Sequence, residues 1–235
     1  MPRFRPRPVL PAWLWLWFPP LLLLVILPIR VFDHEAYRIW VDGEIGLIEL
    51  ATPLLALLGA CYGTLLLRDL WRQGPPSKLM VWVGLHVLAC IYFAGEEVSW
   101  GQHLLGWGTP EYIAALNDQG ETNLHNMSSW FDQKPRLLLE LWVLIGGIIV
   151  PLRGMRAQRR LSANVVSSWF WPTIECVPTA VLAILIRVPE RMKDVLAIES
   201  LPYEIRWSEP QEYYFALFLL IYLAALRRRV KLARL

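Results

Sequence analysis

Cysteine, histidine and charge are all scarce in this chain, and each shortage removes a class of protein. Three cysteines occur in 235 residues. Cys61, Cys90 and Cys176 each fall inside an apolar block, with no C-x-x-C pair, so neither a disulfide framework nor a cysteine-clamped metal site is expected. Four histidines are present, without H-E-x-x-H or H-x-x-x-H spacing, so the helix of a zinc peptidase is missing. Charged residues make up 18% of the chain and the formal net charge is +3. Its arginines gather at the ends of apolar blocks instead of forming one basic stripe, and no nucleic-acid partner is expected. An internal repeat, a low-complexity tract and a separate soluble domain are also lacking.

What the chain does have is apolar length. Residues of the AVILMFWYC set reach 56%, with 13 Trp and 18 Pro, and the mean hydropathy is +0.39. Runs of about 18 or more nearly uncharged residues match the hydrocarbon thickness of a bilayer. Six such runs, at about 12–32, 44–67, 78–100, 137–152, 168–187 and 212–226, predict an all-α, polytopic integral membrane protein that forms one transmembrane domain over residues 1–235. The first run follows Arg3, Arg5 and Arg7 and leads into Asp33-His34-Glu35 with no A-x-A-like site. It reads as an uncleaved helix, bent at Pro19-Pro20 and near Pro28.

Positive loops stay cytoplasmic. Most of the 23 Lys and Arg lie in segments that share one side if both termini are inside: Arg3, Arg5 and Arg7; Arg68, Arg72 and Lys78; Arg153, Arg156, Arg159 and Arg160; and Arg227 to Arg234. Asp69 is the one acid in an inside loop. The expected location is therefore the cell membrane, multi-pass, with N- and C-termini cytoplasmic. Trp13, Trp15, Trp17, Trp40, Trp71, Trp107, Trp130, Trp169 and Trp207 sit near span ends as interfacial anchors. Two long outer segments remain, 107–136 and 188–211. In the first, Thr109-Pro110-Glu111 reads as N-cap, N1 proline and first-turn acid of a short interfacial helix that Gly120 closes.

Polar chemistry concentrates in Gly95-Glu96-Glu97-Val98-Ser99-Trp100-Gly101-Gln102-His103 at the outer end of the third span. If the helix continues, Glu96, Ser99 and His103 share a face. Carboxylates in lipid are costly and need partners. Glu49 of the second span and Glu140 of the fourth lie at a similar depth. The outer loop adds Gln119, Glu121, Asn123, His125 and Asn126, with Glu121 and His125 at i, i+4 spacing. Glu96, Glu97, Glu121 and His125 are the candidate catalytic groups. Glu49, Ser99, Trp100, Gln102, Gln119, Asn123 and Asn126 are candidate substrate-binding groups. His103, His125 and Glu97 are the candidate ligands of a divalent metal such as Zn²⁺. A structural reading stands beside each: Glu96 and Glu97 pairing with Arg136 or Arg187, His86 as an interhelical contact, and Glu175 as an acid hydrogen-bonded to a neighbour instead of a relay.

With these residues in view, the sequence resembles a group of uncharacterised bacterial multi-pass membrane proteins that carry G-E-E-x-S-W-G-Q followed by Q-G-E-T-N-L-H-N. The match covers Gly95 to Gln102 and Gln119 to Asn126, together with the acidic stretch from Asp42 to Glu49 that leads into the second span. In that group Arg usually follows G-Q, where this chain has His103. Glu96-Glu97 is also similar to the E-E start of the CAAX-type membrane proteases, although Gly101 stands where their Arg belongs. Ser99 to His103 resembles the S-x-x-x-H of alkaline ceramidases and adiponectin receptors, without their later histidines. Both fragments imply hydrolysis of a membrane-resident substrate. The leading expectation is a metal-assisted hydrolase acting on a lipid, lipid-linked or membrane-peptide substrate. The alternatives are a cation- or proton-binding transporter and an accessory subunit of a membrane complex.

Overall fold

The computed structural model describes residues 3–4, 8–41, 46–74, 77–117, 122–123, 129–156, 161–162, 167–199 and 205–233. The helices used below are α1 (Trp13–Phe32), α2 (His34–Trp40), α3 (Leu47–Gln73), α4 (Ser77–Glu97), α6 (Val177–Leu185), α7 (Val188–Val195) and α8 (Ser208–Ala233). Between α4 and α6, α5 runs through Ser129–Trp142, widened turns at Val143–Ile149 and a last stretch Val150–Arg156. Beyond helices, the described residues contain a two-residue antiparallel ladder that pairs Arg3 with Ser162 and Phe4 with Leu161.

Among the described residues, four helices are long and apolar enough to cross a membrane: α1, Leu47–Arg72 of α3, Lys78–Glu97 of α4, and Gln133–Met155 of α5. Their flanks expose large apolar side chains such as Leu24, Leu54, Leu88 and Leu138, the pattern expected of a membrane-embedded surface and costly in water. The widened turns have a common cause. Each lies just before prolines, Pro19-Pro20 in α1 and Pro151 in α5, whose missing N–H breaks the regular i to i−4 ladder.

The centre of the molecule is α8. Every residue from Tyr213 to Leu226 is buried, as befits a helix that is hydrophobic all round and enclosed by protein. It packs closely on α3 through small residues. A Cβ at Gly59 would stand 3.5 Å from the Leu220 backbone nitrogen, and one at Gly63 would stand 2.5 Å from Val87 Cγ2 and 3.4 Å from Leu223 Cδ1. These contacts run α3 and α8 in the same direction, with α4 antiparallel. Gly59-x-x-x-Gly63 is thus a small-residue seam of the kind that lets membrane helices approach. At the far end Arg227 meets Asp69 at 2.9 Å and Lys231 lies 3.8 Å from the same oxygen. On α5, a Cβ at Gly147 would lie 2.6 Å from Phe218 and 2.7 Å from Ala180, which sets α5 against α8 and α6.

Two expected spans change form. The third ends at Glu97 instead of near residue 100, because Ser99, Trp100 and Gly101 have positive φ of 45°, 56° and 88°. The fifth, expected as one run over 168–187, is broken. A turn at Ser167–Phe170 stops at Trp171, and Ile174–Cys176 and α6 resume after Thr173. Pro172 is the physical reason, since it removes an N–H and biases the preceding residue away from the helix. Nine residues in α6 are too few to cross a bilayer alone.

Candidate functional site: a groove with an acidic mouth

An apolar groove of about 680 Å³ runs between α4 and α5 over the floor of α8. Its size falls within the range of small-molecule sites. Phe215 and Leu219 form the floor, and Leu85, Leu138, Leu141 and Ile145 form walls. Those four wall residues are themselves exposed on the outer flank of the bundle, so the groove opens sideways through the apolar surface. At its mouth lie Glu96, Glu97, Arg136 and Glu212, and Arg136 pairs with Glu212. At the opposite end lie Trp82, His86, Trp142 and Trp171.

The mouth is shaped by the first polar motif. Its three successive left-handed residues reverse the chain, a conformation that costs about 1–2 kcal/mol at each non-glycine position. Local contacts offset that cost. The Trp100 indole folds back and donates to Glu96 Oε1 at 2.7 Å. Gly95 makes room for it, since a Cβ there would lie 2.8 Å from Trp100 Cε3. Glu96, only 3% exposed, is held at the groove by this bond.

The two polar motifs meet. Asn123 donates its amide to the Ser99 hydroxyl at 3.0 Å, and the backbone N–H of Thr122 donates to Gln102 Oε1 at 2.7 Å. Gln102 in turn donates to Thr109 at 2.8 Å, and the hydroxyls of Thr109 and Thr122 lie 3.0 Å apart. Asn117 donates to both the carbonyl and the side-chain oxygen of Asn123, at 3.0 and 2.8 Å. Ser99, Asn117 and Asn123 are buried, so this is a closed polar lock.

The lock accounts for two departures from the sequence reading. Thr109 uses its hydroxyl on Gln102 and Thr122, so it does not cap the following helix. Instead Pro110 takes that position and the interfacial helix shrinks to one turn, Glu111–Ala114. Ser99 is left-handed, so the shared helical face of Glu96, Ser99 and His103 does not form, nor does an S-x-x-x-H helix.

The remaining candidates divide. Glu97 lines the mouth beside Glu96. Glu140 turns to α7, where Arg191 Nη2 lies 2.6 and 2.8 Å from its two oxygens. Glu49 sits half-buried on α3 and is not part of the groove lining. Glu175 is fully buried, accepts from the backbone N–H groups of Val9 and Leu10 at 2.8 and 2.6 Å, and takes the Thr173 hydroxyl at 2.7 Å. It anchors the N-terminal segment. The His103 side chain and Gln119, Glu121, His125 and Asn126 lie outside the described residues. Among the described residues no three His, Cys, Asp or Glu side chains gather as metal ligands.

Sequence reasoning missed the deep end of the groove. Trp142 lies in the middle of the span Gln133–Met155, and Trp82, one turn into α4, gives its indole N–H to Tyr222 inside the bundle, so neither serves as an interfacial anchor. A mid-span indole still carries an N–H that needs a partner, and that is the signal that marked them. Comparison with known proteins finds no match: no family model, no curated protein and no solved structure resembles the chain.

Proposed function

We propose that the chain crosses the bacterial inner membrane six times, with both termini cytoplasmic, and hydrolyses an amphipathic molecule that enters the groove sideways from the lipid. In this reading α8 is the sixth crossing, and the broken segment from Ser167 through α6 is the fifth. The observation that carries the proposal is the pairing of two adjacent carboxylates with one end of an apolar groove of about 680 Å³. A lipid, lipid-linked or membrane-peptide substrate would lay its apolar part along Leu138, Leu141 and Phe215 and present its polar bond at the mouth.

There Glu97 acts as general base toward water. Glu96, holding the Trp100 N–H, stays an acceptor and fixes the turn. Arg136 stands across the mouth as the positive group for a developing oxyanion. Ser99, Gln102 and Asn123 use their polar atoms in the lock and position the site instead of touching the substrate. Glu121 and His125 complete the catalytic set, and in a metal-loaded site His103, His125 and Glu97 would hold a divalent ion such as Zn²⁺ that activates the water in place of the Glu97 base.

Lipid and peptide profiles of cells carrying the unmodified chain and Glu97→Gln test the reaction. Hydrolysis products should disappear with Glu97→Gln, and products that persist in that variant overturn the proposal. Zinc bound stoichiometrically to protein purified without chelators, and lost in both Glu97→Gln and His125→Ala, supports the metal. Zinc absent from every sample removes it. Single cysteines at Gly74 and Gly108 should react with impermeant reagents from opposite sides.

A further inference from the structure

We propose that the molecule taken into the groove carries an ammonium head, which sits against Glu96 and Glu97 while its apolar tail runs inward between α4 and α5. This head group rests on the reading of the groove as a substrate site and adds the charge that the site selects.

Charge at the mouth does not cancel. The groove lining holds three carboxylates, Glu96, Glu97 and Glu212, and one guanidinium, Arg136, among its described residues. Arg136 pairs with Glu212, so the formal excess of two negative charges belongs to the adjacent pair on α4. The arginines nearest to Arg136 do not reverse it. Arg187 is matched by Glu190 at 3.1 Å and Arg191 by Glu140 at 2.6 Å. The sequence leans the same way, since residues 95–136, which supply both polar motifs, carry six acidic residues against Lys134 and Arg136. Beside apolar walls such a charge is screened less than in open water. A phosphate or carboxylate head would meet like charge there, and an ammonium head meets its complement.

The carboxylates are also held and ringed. Because the Trp100 indole N–H donates to Glu96 Oε1 at 2.7 Å, this carboxylate is fixed at the groove before any guest arrives. Tyr92 stands one helical turn inward of Glu96, with its ring 6.3 Å from Trp100. Tyr92, Phe93 and Phe215 all line the groove. Aromatic faces attract a cation through their quadrupole, and carboxylates attract it by charge, so the two together favour an ammonium over a neutral head.

The far end of the groove suits a tail and not a second head. There the rings pack on one another: Trp82 lies 4.0 Å from Phe170 and 4.4 Å from His86 between ring centroids, and Trp171 stacks on Trp142 at 5.7 Å. The Trp142 indole nitrogen is buried behind this surface, and Trp82 spends its own N–H on Tyr222. A guest therefore meets ring carbon. His86 stands 11 residues before Glu97 on α4, about 16 Å along the helix at roughly 1.5 Å per residue. An extended undecyl chain with its head covers that distance.

The test uses probes with no hydrolysable bond, so its result stands apart from the hydrolase reading. The full chain in dodecyl maltoside is titrated with 11-bromoundecyltrimethylammonium, whose bromine quenches tryptophan on contact. The anionic 11-bromoundecanoate and the neutral 11-bromoundecanol serve as references. Quenching by the ammonium probe should saturate, and Trp171→Phe should remove part of that saturable signal, which places the tail at the aromatic end. Affinity should fall about tenfold in Glu97→Gln and in Glu96→Gln, which keeps an acceptor for Trp100, and should rise about threefold in Arg136→Gln. If Glu96→Gln does not fold, the opposite shifts of Glu97→Gln and Arg136→Gln decide. Equal affinity for the three heads, or the same response in Glu97→Gln and Arg136→Gln, overturns the ammonium head. Hydrolysis products that persist in Glu97→Gln overturn the hydrolase reading and leave a saturable ammonium site standing.

Discussion

Asn123 and Ser99, 24 positions apart, are joined by a 3.0 Å hydrogen bond between a buried amide and a buried hydroxyl. This contact fastens the outer loop to the end of α4. Ser99→Ala and Asn123→Ala should each cost about 1–3 kcal/mol, because each strands a buried partner. The double variant should cost less than their sum. Thermal unfolding in detergent measures the coupling, and strict additivity contradicts the lock.

Gly95→Ala should displace the Trp100 ring, since the added methyl meets Cε3 at 2.8 Å. Loss of the indole bond to Glu96 should follow, at about 1–3 kcal/mol in stability. A red-shifted tryptophan emission and faster quenching by acrylamide would report the freed ring. An unchanged spectrum would contradict the back-folded turn.

Gly63→Ala should destabilise the bundle more than Gly84→Ala. The first methyl meets Val87 Cγ2 at 2.5 Å, whereas nothing lies within 4 Å of the second. Val87 is stiff at its first torsion, so the backbones must separate. The comparison controls for the helix-propensity gain of alanine over glycine. Equal midpoints would show that α3 and α4 do not meet there.

Glu175 should behave as an anchor. Glu175→Gln keeps an oxygen for the N–H groups of Val9 and Leu10 and should leave the N-terminal segment protected from protease. Glu175→Ala removes it and should expose that segment. A proton relay would instead predict that Glu175→Gln abolishes activity although protection is kept.

Asp69→Asn should destabilise by about 1–3 kcal/mol, since Arg227, little exposed, loses its counter-charge. Arg227→Gln in the same background should recover part of the loss. A full second loss in the double variant would contradict the pairing.

Much of this architecture was legible in the chain. Apolar length marked α1, α3, α4 and α5, and the run at 212–226 lies within α8. Spacing also pointed to Glu96 and Glu97. Two things escaped. The turn after Glu97 reads as helix because nothing in Val98-Ser99-Trp100 forbids it locally. It becomes left-handed because Trp100 gains a bond to Glu96 and Ser99 gains one to Asn123. The aromatic end escaped because its rings come from four separate segments.

Hydrophobic thickness, proline breaks and charge segregation are properties of neighbouring residues, so membrane insertion and helix positions follow from the order of amino acids. Which carboxylates share a site is a different kind of question. The order of spans predicts similar depths for Glu49, Glu96, Glu97 and Glu140, yet depth leaves the rotation of each helix open. Packing decided it: the close approach of α3 to α8 at Gly59 and Gly63, and of α5 to α8 at Gly147, turned Glu96 and Glu97 into the groove while Glu140 met Arg191 on the other side.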